Sequence, residues 1–498
     1  MRPVDICRRE FYCGMGRAYS SNRYNSRRMR ENNRKPALKG GKGVLGPMNR
    51  ADRTEVFEHM PIPRAVGRQI IPAIASQMIA LVYNLADTYF VGMLDDPKET
   101  AAITVVYSSF VMLTAISNLF GVGGASALSR ALGKKDTEAA KGIAALSFWG
   151  GLGCAVLFSL LFLLFARPIL MLCGAGPEIF DTAYRYALWV VVIGGPGTIL
   201  NTLLSNLVRA EGKAAAAAAG VSMGGLLNIV LDPFFVLPRF LGLGAAGAGI
   251  ATALSNLAAA VFFLAFIAWN RKKTVVNISL SRLRCADRYI RAILVSGFPS
   301  AVQYALTVVA IAAQSRFVSQ YTTEAVAALG IVKKLDQLPL YFSIGVSNGL
   351  LPLLAYNYSS GNQERRRGIF RLGCAVSLGF SLLCLAVYEF FAPQLVSLFI
   401  SDSVTIGYGA GFLRCMVTAM PMMSVCYPMI IQFQAMGKFK ASMVCSVLRK
   451  GVLDIPLLFL MNGLFGLYGC MWVQPVVDTV SLAAAGGFYR KMRRTEGL

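Results

Sequence analysis

Charge is scarce in this chain. Only 15% of its 498 residues are charged, against about 25% in soluble domains. Its length would suggest about three globular domains, but so few charges cannot cover three such surfaces. Histidine occurs once, at His59, and the eleven cysteines include no Cys-x-x-Cys pair. This argues against a His/Cys metal site and leaves the cysteines as small apolar residues. No Gly-x-x-x-x-Gly-Lys-[Ser/Thr] occurs; Gly40-Gly-Lys-Gly43 is a poor imitation. No polar stretch is long enough for a nucleotide-binding domain, so nothing in the sequence supplies ATP-driven work. Acids are few beside bases, 25 against 49, for a net charge of +24. A nucleic-acid surface would gather that excess in one patch. Here it recurs in short clusters between apolar runs, the form of a membrane topology signal.

Apolar residues are abundant, at 55%, and the mean hydropathy is +0.55. Uncharged runs such as Ile143–Phe165 and Leu372–Tyr388 have the length of bilayer spans. The reading is an all-α integral membrane protein with twelve transmembrane helices. They are expected over 67–92, 100–130, 141–166, 184–208, 214–238, 244–269, 289–319, 325–353, 367–391, 404–433, 440–461 and 466–489. One set of loops holds Lys134, Lys135 and Lys141; Arg209 and Lys213; Arg271, Lys272 and Lys273; Arg365, Arg366 and Arg367; and Lys438 and Lys440. The alternate loops hold only Lys98, Arg167, Arg185 and Arg239. That bias places both termini in the cytoplasm of a multi-pass protein of the plasma membrane, and predicts that Cys285 is shielded from outside reagents.

The second half echoes the first. Thr88-Tyr-Phe-Val-Gly92 returns as Ser315-Arg-Phe-Val-Ser319, Pro72 as Pro299, Pro196 as Pro421, and Gly212-Lys213 as Gly437-Lys438. Six helices per half make these parallel repeats, hence two pseudo-symmetric six-helix bundles facing each other, a layout suited to alternating access. The expected organisation is a basic, disordered segment 1–61, an N-terminal lobe 62–269, a cytoplasmic linker 270–288, a C-terminal lobe 289–490 and a cytoplasmic tail 491–498. Residues 1–47 hold 12 Lys/Arg and 3 acids with few aliphatics. They cannot bury a core, and translation from Met48 is expected to leave a working protein.

Ionisable groups inside a membrane are costly and mark function by default. In the first half Asp87 (span 1) and Asp232 (span 5) come at similar depth. Asn228, four residues before Asp232, shares its helix face, and Thr252 of span 6 reaches the same level. This set suits Na⁺ or a shared proton. The competing structural reading is that Asp232 opens a turn with Pro233 and Asp87 sits near a helix end. In the second half the counterparts of Asn228, Asp232 and Thr252 are Lys450, Asp454 and Gln474. Lys450 and Asp454, at i and i+4, can pair, which leaves the exchangeable cation to the first half. Asn84, Lys333, Asp336 and Asp478 are candidates for the wall of a substrate cavity, with a self-satisfied Lys–Asp pair as the alternative.

These motifs resemble the multidrug and toxic compound extrusion (MATE) family. The resemblance is carried by Tyr83-Asn-Leu-Ala-Asp-Thr-Tyr-Phe-Val-Gly92, Gly124-Ala-Ser-Ala-Leu-Ser-Arg-Ala-Leu-Gly133, Arg209-Ala-Glu-Gly212 and Leu227-Asn-Ile-Val-Leu-Asp-Pro-Phe-Phe235. In the second half it continues through Lys333-Lys-Leu-Asp336 and Ala355-Tyr-Asn-Tyr358. It covers about residues 62–490 and implies a V-shaped antiporter that expels organic cations and other amphiphiles in exchange for Na⁺ or H⁺. The prokaryotic branch with its cation site in the N-terminal lobe corresponds here to Asp87, Asn228, Asp232 and Thr252. The expectation is a monomeric, non-enzymatic transporter of small molecules in the lipid bilayer, with no cofactor and no nucleic-acid partner. A lipid-linked saccharide flippase of the same superfamily is the alternative, prompted by Lys333, Lys334, Arg449 and Lys450. A major-facilitator transporter lacks support, because no Gly-x-x-x-Asp-Arg loop follows span 2.

Overall fold

The computed structural model describes residues 55–495 apart from Asp95 and Ala286. The basic arm 1–47 and the start at Met48 lie outside the described residues. No strand occurs among them. Among the described residues nine helices are long and apolar enough to cross a membrane, or eleven when two bent pairs count as one span each.

Spans 1 to 3 are Ile62–Gly92, Pro97–Gly133 and Thr137–Leu164. Span 4 is bent: Phe180–Ala187 passes through a π-helical stretch, Leu188–Ile193, into Gly195–Ala210. Spans 5 and 6 are Ala214–Val236 and Gly244–Trp269. The second half repeats the pattern with Asp287–Val318, Thr323–Ser359 and Gln363–Ser397 as spans 7 to 9. Span 10 pairs Ser403–Val417 with Met420–Ala435. Spans 4 and 10 each bend by 44°, and Pro196 and Pro421 open the second helix of each pair. A proline there lacks only an N–H that the helix start leaves unpaired anyway.

Span 11 begins with Phe439–Val447 and runs through Leu448–Val452 into the 42-residue helix Asp454–Thr495. A straight helix of that length would reach about 63 Å, twice the roughly 30 Å hydrocarbon core. Gly466, at φ 60 and ψ −140, folds it into a hairpin. Span 12 follows the fold, which completes the expected twelve.

Polar caps fix several helix starts, one to four residues ahead of the expected ones. Asp96, Asp136, Thr322, Asn362 and Asp402 each accept a backbone N–H two or three residues on, replacing partners that the first turn lacks.

The apolar core is continuous at the end of the bundle that carries residues 62 and 495, called here the terminal end. There Ile70, Leu128 and Leu207 join Leu350, Leu354 and Phe433 in one cluster. At the far end it separates into a first-lobe core around Val91, Phe162 and Val236 and a second-lobe core around Val318, Phe412 and Met471. The lobes therefore meet at the terminal end and part toward the other. Their closest approach is between spans 2 and 7, where a Cβ at Gly297 would collide with Leu119 O. Spans 1 and 8 touch where a Cβ at Gly345 or Gly349 would lie 2.7 Å from the Cα of Ile74 or Ile70.

Two segments depart from expectation. Residues 55–59, assigned to a disordered arm, form a π-helical turn against the second lobe. Phe57 is fully buried and stacks on Tyr356 at 4.7 Å, Glu58 accepts from Tyr356 Oη at 2.7 Å, and Arg365 Nε donates to Phe57 O at 2.8 Å. One aromatic ring was enough to pin a polar stretch. The linker is likewise a strap on the first lobe. Val275 and Val276 are buried, Glu211 accepts from Val275 N–H at 2.9 Å and Thr274 Oγ1 at 2.6 Å, and Trp149 Nε1 donates to Ile278 O at 2.9 Å.

Candidate functional site

Span 5 continues as helix to Val236, beyond Pro233, so Asp232 does not open a turn. Its carboxylate stays on the helix face that also carries Asn228. Asn228 Nδ2 donates to Asp232 Oδ1 at 3.1 Å and lies 3.5 Å from Thr252 Oγ1 on span 6. Asp232 is 0% exposed and Asn228 2%. Span 1 comes close because Gly225 has no side chain. A Cβ there would stand 2.9 Å from Ile79 Cγ2 and 3.0 Å from Tyr83 Cδ1. That approach brings Asp87 within electrostatic reach of Asp232.

The oxygens of this cluster outnumber its donors. Asp87 Oδ1, Asp232 Oδ2 and Asn228 Oδ1 are all buried without a hydrogen-bond partner. Buried polar atoms are normally satisfied, and an unsatisfied carboxylate oxygen is the more costly case. A hard cation or a proton supplies what is missing, and the donor set of two carboxylates, an amide and a hydroxyl fits either. Sequence reasoning missed two phenols here. Tyr83 of span 1 and the nearly buried Tyr186 of span 4 both lie within electrostatic reach of Asp87 and Asp232. Tyr83 opens the quoted span 1 motif and could have been found from it. Tyr186 gave no signal; it packs on span 6, where a Cβ at Gly249 would lie 3.1 Å from its Cδ2.

The second lobe handles its charges differently. Span 11 leaves helical geometry at Lys450 (φ −139, ψ 105) and Gly451 (φ 128, ψ −73), so the expected i, i+4 pair of Lys450 and Asp454 does not form. Gln474 stands between them, with Lys450 Nζ donating to its Oε1 and its Nε2 donating to Asp454 Oδ1, both at 2.7 Å. Gly451 N–H donates to the other Asp454 oxygen at 2.7 Å. Asp478, expected on a cavity wall, is instead 2% exposed and paired with Arg449 Nε at 3.0 Å. The Arg449 guanidinium also covers the Tyr427 ring at 4.0 Å. Both carboxylates of this group are thus engaged, whereas those of the first lobe keep free oxygens.

Of the remaining candidates Asn84 reaches across the lobes, while Lys333 and Asp336 meet only second-lobe groups. Asn84 donates to Ala80 O at 2.7 Å and reaches Tyr341 Oη of the second lobe at 3.4 Å. Lys333 is half-buried with only a long 3.4 Å contact to Ser315 Oγ. Asp336, also half-buried, lies within electrostatic reach of Lys450, Lys333 and Arg449.

The MatE family profile matches residues 72–234 and 299–460, one block per lobe, each beginning at a repeated proline. Multidrug export protein MepA of Staphylococcus saprophyticus is 29% identical over 429 residues, covering 86% of this chain and 94% of that protein. MepA of Staphylococcus aureus shows the same identity and coverage. Among solved structures, an outward-facing multidrug resistance MATE family transporter of the MOP superfamily superposes with a TM-score of 0.82 at 23% identity, covering 89% of this chain and 98% of that one. A MOP superfamily transporter from Pyrococcus furiosus gives 0.82 at 24% identity, covering 91% and 98%. At these identities the structural likeness is one of fold.

Proposed function

The chain belongs to the MatE family, and from that premise we propose that it is a secondary active multidrug exporter. It expels organic cations and other amphiphilic compounds by alternating access, in exchange for Na⁺ or H⁺, and sits in the plasma membrane with its terminal end in the cytoplasm. The export proteins named above support the activity. The observation that carries the coupling site is the convergence of three unpartnered buried oxygens, on Asp87, Asp232 and Asn228.

In this reading Asp87 and Asp232 hold the coupling ion and Asn228 orients Asp232 by donating to it. Thr252 closes the set from span 6. Two carboxylates close together in low dielectric resist joint ionisation, so the site trades its cation readily. Loading the site ties span 1 to span 5, and span 1 also packs against span 8 of the second lobe. Ion occupancy can therefore bias the lobe–lobe interface, provided the ion binds the two states with different affinity. The cationic cavity that a lipid-linked saccharide flippase would use is not favoured, because Arg449 is engaged by Asp478 and Lys450 by Gln474.

The test is efflux of fluorescent organic cations from reconstituted vesicles, under separately imposed Na⁺ and H⁺ gradients and normalised to folded protein. Asp87→Asn and Asp232→Asn are each expected to reduce gradient-driven efflux to the leak of protein-free vesicles while still inserting, since an amide costs less in the bilayer than a carboxylate. Wild-type coupling in either variant would place the ion elsewhere.

A further inference from the structure

Arg130 lies in the last turn of span 2 and all its hydrogen bonds go to uncharged oxygens. The two N–H groups of Nη1 are shared among four acceptors within hydrogen-bonding distance, Ser126 Oγ at 2.5 Å, Ser296 Oγ at 3.2 Å, Gln434 O at 3.1 Å and Ala435 O at 3.0 Å. Nη2 donates to Ala292 O at 3.2 Å. Of these partners only Ser126 belongs to the same lobe. Ala292 and Ser296 are on span 7. Gln434 and Ala435 are the last residues of Met420–Ala435, the second helix of span 10.

Carbonyls in the last helical turn lack i+4 N–H partners and carry the negative end of the helix dipole, and Gln434 O is met from the following turn only by Gly437 N–H at 3.1 Å. The guanidinium is therefore matched to a dipole, not to a carboxylate. Its neighbours strengthen the same acceptor. Ser126 Oγ and Ser296 Oγ donate to Gln434 O at 2.7 and 3.0 Å, and Gln434 Nε2 donates to Ser300 Oγ at 3.0 Å. Gly437, at φ 69, turns the chain beside the guanidinium, where a Cβ would lie 3.7 Å from Arg130 Cζ. This network stands at the terminal end, where the lobes share one core. Further from that end, Asn84 and Tyr341 meet across the lobes at a longer 3.4 Å.

We propose that Arg130 is the latch that holds the terminal end closed, a positioning residue of the transport cycle that acts through the carbonyl end of span 10. The chemistry suits a contact that must open in every cycle. On separation the guanidinium and the carbonyls both regain water, and no carboxylate is left buried without its counter-charge. A planar five-donor fork can also satisfy acceptors on two helices at once, which an ammonium cannot. The proposal rests on the alternating-access reading, but its test reads a distance and not transport.

Spin labels are placed at Lys135→Cys and Lys440→Cys, both exposed at the terminal end, with other accessible cysteines replaced. The full chain is studied in lipid nanodiscs while Na⁺, pH and a fluorescent organic cation are varied. Wild type is expected to show a short and a long distance. Arg130→Gln is expected to raise the long-to-short ratio about ten-fold, the effect of a net loss of about one charge-assisted hydrogen bond once water and the glutamine amide have met the freed acceptors. Arg130→Lys should fall between, and Ser296→Ala should shift the ratio less in the same direction. If Arg130→Gln fails to insert, these two milder variants decide the outcome. Wild-type populations in the variants, with two distances present, would overturn the latch. A single distance in wild type and variants under every condition would instead overturn alternating access, and the latch with it.

Discussion

Asp232 and Asp478 are both buried carboxylates on transmembrane helices, yet their surroundings differ. Asp232 has an amide donor on one oxygen and nothing on the other. Asp478 has Arg449 at 3.0 Å, with both side chains 2% exposed. The first arrangement leaves room for an exchangeable cation, whereas the second is a closed ion pair. Removing one member of such a pair strands the other's charge, at a cost of about 3–5 kcal/mol, while replacing both by apolar residues is often neutral or better. Arg449→Leu should therefore lower thermal stability in detergent markedly, and Arg449→Leu with Asp478→Leu should restore most of it. A double variant no more stable than the single would show that the pair is not self-contained. Sequence reasoning reached all four first-lobe residues from depth and helical spacing. It misplaced Asp478 because depth alone cannot tell which way a side chain points.

At the scale of elements, breaks decide more than helices do. The helix Asp454–Thr495 is one run to the eye, and only Gly466 at positive φ makes it two spans. A left-handed residue with a Cβ is strained by roughly 1–2 kcal/mol. Gly466→Ala should accordingly lower the unfolding temperature, and an unchanged melting curve would show that the hairpin does not depend on that conformation. The segment before span 1 is a second case. Phe57 fills the terminal-end core and stacks on Tyr356, whereas residues 1–47, with 12 Lys/Arg and few aliphatics, are expected to bury no core. Deleting residues 1–47 should leave insertion and efflux intact. Deleting 1–60 should destabilise the second lobe by about 3 kcal/mol or more, the usual cost of removing a buried Phe. Equal stability of the two truncations, measured by thermal unfolding, would refute this.

For the whole molecule, the lobes share a core at one end and keep separate cores at the other. That asymmetry, with the strap 274–278 fixed to the first lobe, suits two rigid bundles moving about their terminal-end contact. The side that faces the cytoplasm follows from the Lys/Arg bias of the loops. An impermeant thiol reagent outside intact cells should not modify Cys285 in an otherwise Cys-free protein. Rapid labelling from outside, with none from inverted vesicles, would reverse the orientation proposed here.

Sequence alone determined the class, the span count, the two parallel halves and the first-lobe cluster. Each of these is written in local pattern: apolar run length, proline and glycine at matched offsets, and carboxylates at matched depth. Tertiary structure decided the rest. It set Gln474 between Lys450 and Asp454, packed Tyr186 on Gly249 of span 6, drew Phe57 out of a segment that read as disordered, and fastened the linker to the first lobe. It also carried Arg130 across to the carbonyls of Gln434 and Ala435, some three hundred residues away in the chain. A backbone carbonyl is offered by every residue, so its role as the partner of a distant guanidinium leaves no mark in composition or spacing. It arises only where packing exposes the end of one helix to the side of another.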